Sequence, residues 1–163
     1  MVSDEEPIVK EAFRQTELKL VELNRIAEAA DRRAMAFAGF AGVIATLLFS
    51  SANNMPLEWV NYVGGIVVFC GAYLAATSAF PRGFYTPGQR FGHWEDHLVD
   101  GDSFIDALKF RAAENDERII KNEKSLDENA DRLKSGVSVS MAAGVLTATI
   151  QLFALLLLAD HVP

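Results

Sequence analysis

The chain has 163 residues, half of them hydrophobic and 23% charged, with 22 acidic against 15 basic side chains and a formal net charge of -7. That length is one domain's worth of sequence, and the acidic balance excludes a nucleic-acid polymer as partner, because neutralising phosphates needs a basic surface. A positive mean hydropathy beside so many charges requires the two to be segregated along the chain, and the single cysteine, Cys70, supports neither a disulfide framework nor a metal site.

Residues 1–33 read as a cytoplasmic amphipathic helix. Met1 to Glu6 is acidic and polar, unlike a signal peptide. Pro7 suits a first helical turn, with Ser3 or Asp4 as cap. Val9, Phe13, Leu20, Leu23, Ala27 and Ala30 form an apolar stripe interrupted only at Thr16. The stripe packs either on another cytoplasmic helix or on a partner protein. Nothing breaks the helix before the first apolar run.

Residues 34–80 form a helical hairpin of two spans, 34–51 and 59–80, and a third span covers 137–159. A bilayer core needs about 20 mostly apolar helical residues. None of the three runs contains Lys, Arg, Asp or Glu. Six Lys and Arg precede the first span and nine lie between the second and third; the loop 51–58 and the tail after 159 have none. The positive-inside rule therefore places the N-terminus and 81–136 in the cytoplasm and the C-terminus outside. Small residues mark one face of each span: Ala38 and Gly42 in the first, Gly71 in the second, Gly144 in the third. These faces either close a bundle within one chain or join subunits. Gln151, within the third span, either bonds across helices or lines a polar path.

Residues 81–136 comprise a loop and a long helix. The stretch 81–102 is too rich in Gly, Pro and aromatics to be one regular helix. A helix starts near Ser103. Ile105, Ala112, Ile119, Leu126 and Leu133 recur every seven residues, and three residues after each come Leu108, Asn115, Asn122, Asn129 and Gly136. The asparagine edge faces solvent, pairs with a partner helix, or binds a polar ligand. His93 and His97 are four apart but lack an obvious third metal ligand. No phosphate loop, nucleophile elbow or nucleophile–base pair is present. The sequence does not read as an enzyme, and it nominates no catalytic residue, metal or resident cofactor.

The order of elements resembles a known group. A charged helix ends in Asp31-Arg32-Arg33-Ala34 and enters the first span. The second span closes on Phe80-Pro81-Arg82. An aromatic segment with Arg90-Phe91-Gly92 follows, and a long polar helix feeds the last span. This is similar to the transmembrane effectors of the Pycsar antiphage systems and to the broader SLATT group of membrane effectors. The resemblance implies an all-α, homo-oligomeric membrane protein of the bacterial inner membrane. It also implies a partner nucleotide cyclase that makes cUMP or cCMP on infection. The effector would sense that ligand and disrupt the membrane, arresting growth. The 81–136 segment is too short and too helical for a β-rich cyclic-nucleotide domain, so helices and loops would build the site. For such a ligand, Arg82 and Arg90, then Arg32 and Arg33, are the candidate cations. Tyr85, Phe91 and Trp94 are the stacking candidates, Asn115 and Asn122 read the base, and Asp31 accompanies Arg33. Arg82, Tyr85 and the other residues at the membrane ends serve equally as interface anchors. Two other functions compete: a constitutive scaffold or accessory subunit that binds a cytoplasmic protein, and a holin-like channel.

Overall fold

A computed structural model describes residues 5–79, 83–88 and 92–159. Every regular element among them is helical. α1 spans Glu5–Ser51, a single 3-10 turn covers Ala52–Asn54, α2 spans Glu58–Ser78, α3 Gly92–Asp100 and α4 Phe104–Ala159. The expected continuity of the first helix into its apolar run is present, and α4 likewise runs unbroken through Gly136. The 81–102 stretch is less irregular than its composition suggests, since α3 occupies residues 92–100. Gly101 ends that helix at a positive φ of 75°, and the Asp102 N–H returns to the His97 carbonyl at 3.0 Å. Ser103 then starts α4. Its Oγ accepts from the Asp106 N–H at 3.2 Å and donates to the Asp106 carboxylate at 2.6 Å, a reciprocal cap that satisfies an orphan donor of the first turn.

The described residues fall into two units, and α1 and α4 contribute to both. The polar unit uses residues 5–29, 83–88 and 92–127. Its core is the apolar stripe of α1 (Val9, Leu20, Leu23) with Ala107 and Leu108 of α4, all buried. Phe13 meets Trp94 of α3 edge-on at 6.1 Å. The stripe thus packs on another helix of the same chain.

The apolar unit uses residues 30–79 and 128–159. It contains three helices long and apolar enough to cross a membrane. α2 is the central one: 44% of its most apolar window is buried, against 17% and 11% for α1 and α4. Ala41, Ala45, Val68 and Ala72 form the core, flanked by Phe37, Ile44, Leu48 and Ala143. Small residues let α2 approach α4 closely. A Cβ on Gly71 would come within 2.7 Å of the Gly136 carbonyl, and one on Gly136 within 2.6 Å of the Gly71 carbonyl. The Ser140 hydroxyl donates to the Val68 carbonyl at 3.2 Å. The buried face of α4 is therefore Gly136, Ser140, Thr147 and Gln151, with Gly144 only half-buried. Gly71 serves this intrachain contact. Gly42 and Gly144 do not, because a Cβ on either would meet nothing within 4 Å. Ala38 is half-buried.

Candidate functional site

Two residues of the asparagine edge of α4, Asn115 and Asn122, are buried at 0% exposure and do not face solvent, while Asn129 is half-buried. Asn115 Nδ2 donates to Thr16 Oγ1 at 3.2 Å and to Glu17 Oε1 at 2.7 Å. Asn122 brackets a single loop residue: its Oδ1 accepts from the Tyr85 N–H at 2.9 Å and its Nδ2 donates to the Tyr85 carbonyl at 2.8 Å. Glu17 completes the anchorage, since its other oxygen accepts from the Gly88 N–H at 2.8 Å. The Asn122 amide is thus spent at both ends on the 83–88 loop. The Asn115 Nδ2 is spent on α1, while its Oδ1 is buried without a hydrogen-bond partner.

What this anchorage presents is the Tyr85 ring. It is 40% exposed. The Arg118 guanidinium carbon lies 5.9 Å and Lys121 Nζ 5.7 Å from the ring centroid. Arg118 is fixed from behind, donating to Glu114 Oε1 at 2.6 Å, while Arg111 donates to Glu114 Oε2 at 2.6 Å. Burial raises the Glu114 carboxyl, but the Arg111 hydrogen bond and the Arg118 charge outweigh it and hold the group below its ordinary value of 4.5. An aromatic face beside two cations attracts a flat ring attached to an anion.

A second concavity, about 640 Å³, lies between α3 and α4. Its walls include His97, Asp102, Arg111 and Glu114. His97 Nδ1 is 2.7 Å from Asp102 Oδ2, and the ring meets Phe110 edge-on at 5.2 Å. Among the described residues no three His, Cys, Asp or Glu side chains are placed to hold a metal ion.

Of the expected site residues the structure brings Tyr85 and Asn122 together. Arg82, Arg90 and Phe91 lie outside the described residues. Trp94 packs on Phe13. Asp31 and Arg33 belong to the apolar unit; burial raises the Asp31 carboxyl above 3.8, and Arg33 is exposed. Among the described stacking candidates, Tyr85 stands beside cations, and these are Arg118 and Lys121 rather than the arginines that the sequence nominates. The signal was there: Glu114 sits three residues after Arg111 and four before Arg118, so one carboxylate reaches both on a helix.

Within the apolar unit Gln151 is buried. Its Nε2 donates to the Leu57 carbonyl at 2.7 Å and to Asn61 Oδ1 at 3.0 Å, and its Oε1 accepts from the Leu57 N–H at 3.3 Å. Asn61 Nδ2 in turn donates to Ser51 Oγ at 3.1 Å. Gln151 thus ties α4 to the turn before α2, the cross-helix role. Gly144 lines an apolar groove of about 320 Å³ with Phe37, Phe40, Ile44 and Val145; Gly42 lines another of about 520 Å³ with Thr46 and Phe69. No protein-family model, no curated protein and no solved structure matches the chain.

Proposed function

We propose that this protein is a membrane effector whose polar unit reads a small cytoplasmic ligand and whose spans then disrupt the bilayer. The observation that carries the reading is the Tyr85 platform, held by Asn122 and Glu17 and flanked by Arg118 and Lys121. It suits one aromatic base and one phosphate charge. The ligand class is the cyclic pyrimidine mononucleotide, cUMP or cCMP, that the resemblance to Pycsar effectors implies, made by a partner cyclase during phage infection. Charge supports the orientation: every Lys and Arg lies before residue 34 or between 81 and 136, so these segments sit in the cytoplasm and the C-terminus outside the inner membrane. Three helices enclose no pore alone, and the open small-residue positions Gly42 and Gly144 suit contacts between copies in a homo-oligomer.

A scaffold role is the second reading, favoured by Leu98 and Val99 on α3, which are 70% and 81% exposed and suit a protein partner. Membrane potential in bacterial cells separates the two. Cells making the protein together with a pyrimidine nucleotide cyclase should depolarise, and cells making either alone should not. Tyr85→Ala and Arg118→Ala should each abolish the response with insertion intact. Depolarisation without the cyclase would indicate an ungated channel; none with it would favour the scaffold.

A further inference from the structure

Within the apolar unit an open groove of about 320 Å³ lies between α1 and α4. Phe37, Phe40 and Ile44 wall it from α1 and Met141 and Val145 from α4, with Val68 of α2 between them. Its one polar side chain, Ser140, already donates to the Val68 carbonyl at 3.2 Å. An occupant therefore needs only apolar surface. Helix periodicity carries both walls to a cation. Arg33 precedes Phe37, Phe40 and Ile44 by four, seven and eleven residues, and Lys134 precedes Met141 and Val145 by seven and eleven, spacings that keep one helix face. Both cations are exposed, and among the described residues neither makes an ion pair. Asp31 lies about 200° round α1 from Arg33, and Asp131, about one turn before Lys134, does not pair with it.

Depth identifies the occupant. From Arg33 to Ile44 α1 rises about 16 Å, and one leaflet of a hydrocarbon core is about 15 Å thick. Helical Cα–Cβ bonds tilt toward the N-terminus, which is the charged end of both spans, so Arg33 and Lys134 lean toward the headgroups. We infer that the α1–α4 groove holds an acyl chain of an acidic phospholipid whose phosphate pairs with Arg33 and Lys134. A zwitterionic lipid brings a cation of its own and gains less from this pair. A second copy meeting the groove through the same face would set four cations at one depth, where they repel. Gly42 lies about 180° round α1 from Arg33 and lines a different groove, so a neighbouring copy on that face and a lipid in this groove do not exclude each other. Lipid binding here goes beyond the proposed nucleotide response.

Native mass spectrometry of the purified full-length protein in detergent tests it, with phosphatidylglycerol, phosphatidylcholine of the same chains and glycerol phosphate as probes. Phosphatidylcholine keeps the chains and phosphate but adds a cation; glycerol phosphate keeps the anion and loses the chains. Phosphatidylglycerol should bind about tenfold or more tighter than either. The double variant Arg33→Gln/Lys134→Gln, altered only at exposed positions, should keep its helical circular dichroism and lose about tenfold in affinity for phosphatidylglycerol. Gly144→Leu keeps both cations and places its Cβ in open space at the groove; it should weaken both phospholipids. Equal binding of the two phospholipids would overturn the inference, as would an unchanged phosphatidylglycerol affinity in either variant. So would glycerol phosphate binding as tightly as phosphatidylglycerol, or a protein dimer, lost in Gly144→Leu, in place of bound lipid. None of these results depends on nucleotide binding or on membrane disruption.

Discussion

Asn122 and Gln151 solve one problem in two solvents. Each is a side-chain amide on α4 that pairs with both the N–H and the carbonyl of one backbone residue, Tyr85 and Leu57 respectively. Tyr85 lies in a connection and Leu57 caps the start of α2, where its carbonyl also accepts the Val60 N–H at 3.0 Å; the amide supplies backbone partners that a full helical turn would otherwise give. Asn122→Leu keeps the bulk and deletes both bonds. It should destabilise the protein by about 1–3 kcal/mol in denaturant titration and speed hydrogen exchange at the Tyr85 amide. Gln151→Leu should cost more than Asn122→Leu, because apolar surroundings offer no water to replace the lost bonds; equal costs would argue that water reaches the Leu57 turn. Titration gives two opposite signs. Glu114 has a lowered pKa in the folded chain, so its stabilisation is present above its ordinary 4.5 and fades as pH falls through the lowered value. Asp31 is raised by burial, so its contribution is present below 3.8 and lost as pH rises through the raised value, leaving an ionised form that costs stability at neutral pH. Asp31→Asn should therefore raise the melting temperature at pH 7 and leave it nearly unchanged well below pH 3.8, and Glu114→Gln should lower it at pH 7. Thermal unfolding across pH checks both.

At the level of elements, glycine position separates two kinds of helix contact. Gly71→Val forces a side chain against the α4 backbone, where neither partner can yield, and should destabilise the isolated protein by about 1–3 kcal/mol or more. Gly42→Leu meets open space and should leave the fold of one chain intact while abolishing membrane disruption. Full disruption by the Gly42 variant would remove this face from the mechanism. Much of the helical layout was legible because it rests on strong local signals: charge-free runs, a heptad, and capping at Ser103. α3 was obscured by Gly92 and by the aromatic loop before it, and its stop depends on Gly101 adopting positive φ. The site was half legible. Thr16 breaks one apolar stripe and Asn115 the other, and the two exceptions meet at 3.2 Å; stripes show that a polar residue is misplaced but not which misplaced residue is its partner. The open state of Gly42 and Gly144 was likewise invisible, since a four-residue row of small side chains is the same whether the row is covered from within the chain or not.

The whole molecule divides a polar helical unit from three spans whose large apolar side chains, such as Phe40 and Val145 at 65% exposed each, face outward. Such surfaces need lipid or another copy to cover them. The proposed orientation rests on the charge pattern. A reporter enzyme that works only outside the cytoplasm should be active when fused after residue 163 and silent when fused before residue 1; the reverse result would invert the topology and put the Tyr85 platform out of reach of any cytoplasmic ligand. A ligand can drive a membrane response only by binding two states with different affinity, so the decisive quantity is permeability with and without ligand. The measurement is dye release from liposomes containing the purified protein, with cUMP, cCMP, cAMP and cGMP added in turn. Release with one pyrimidine nucleotide, absent with the purines and absent in Tyr85→Ala, is the predicted result. Intact liposomes under all four nucleotides, or release that ignores Tyr85, would contradict the account.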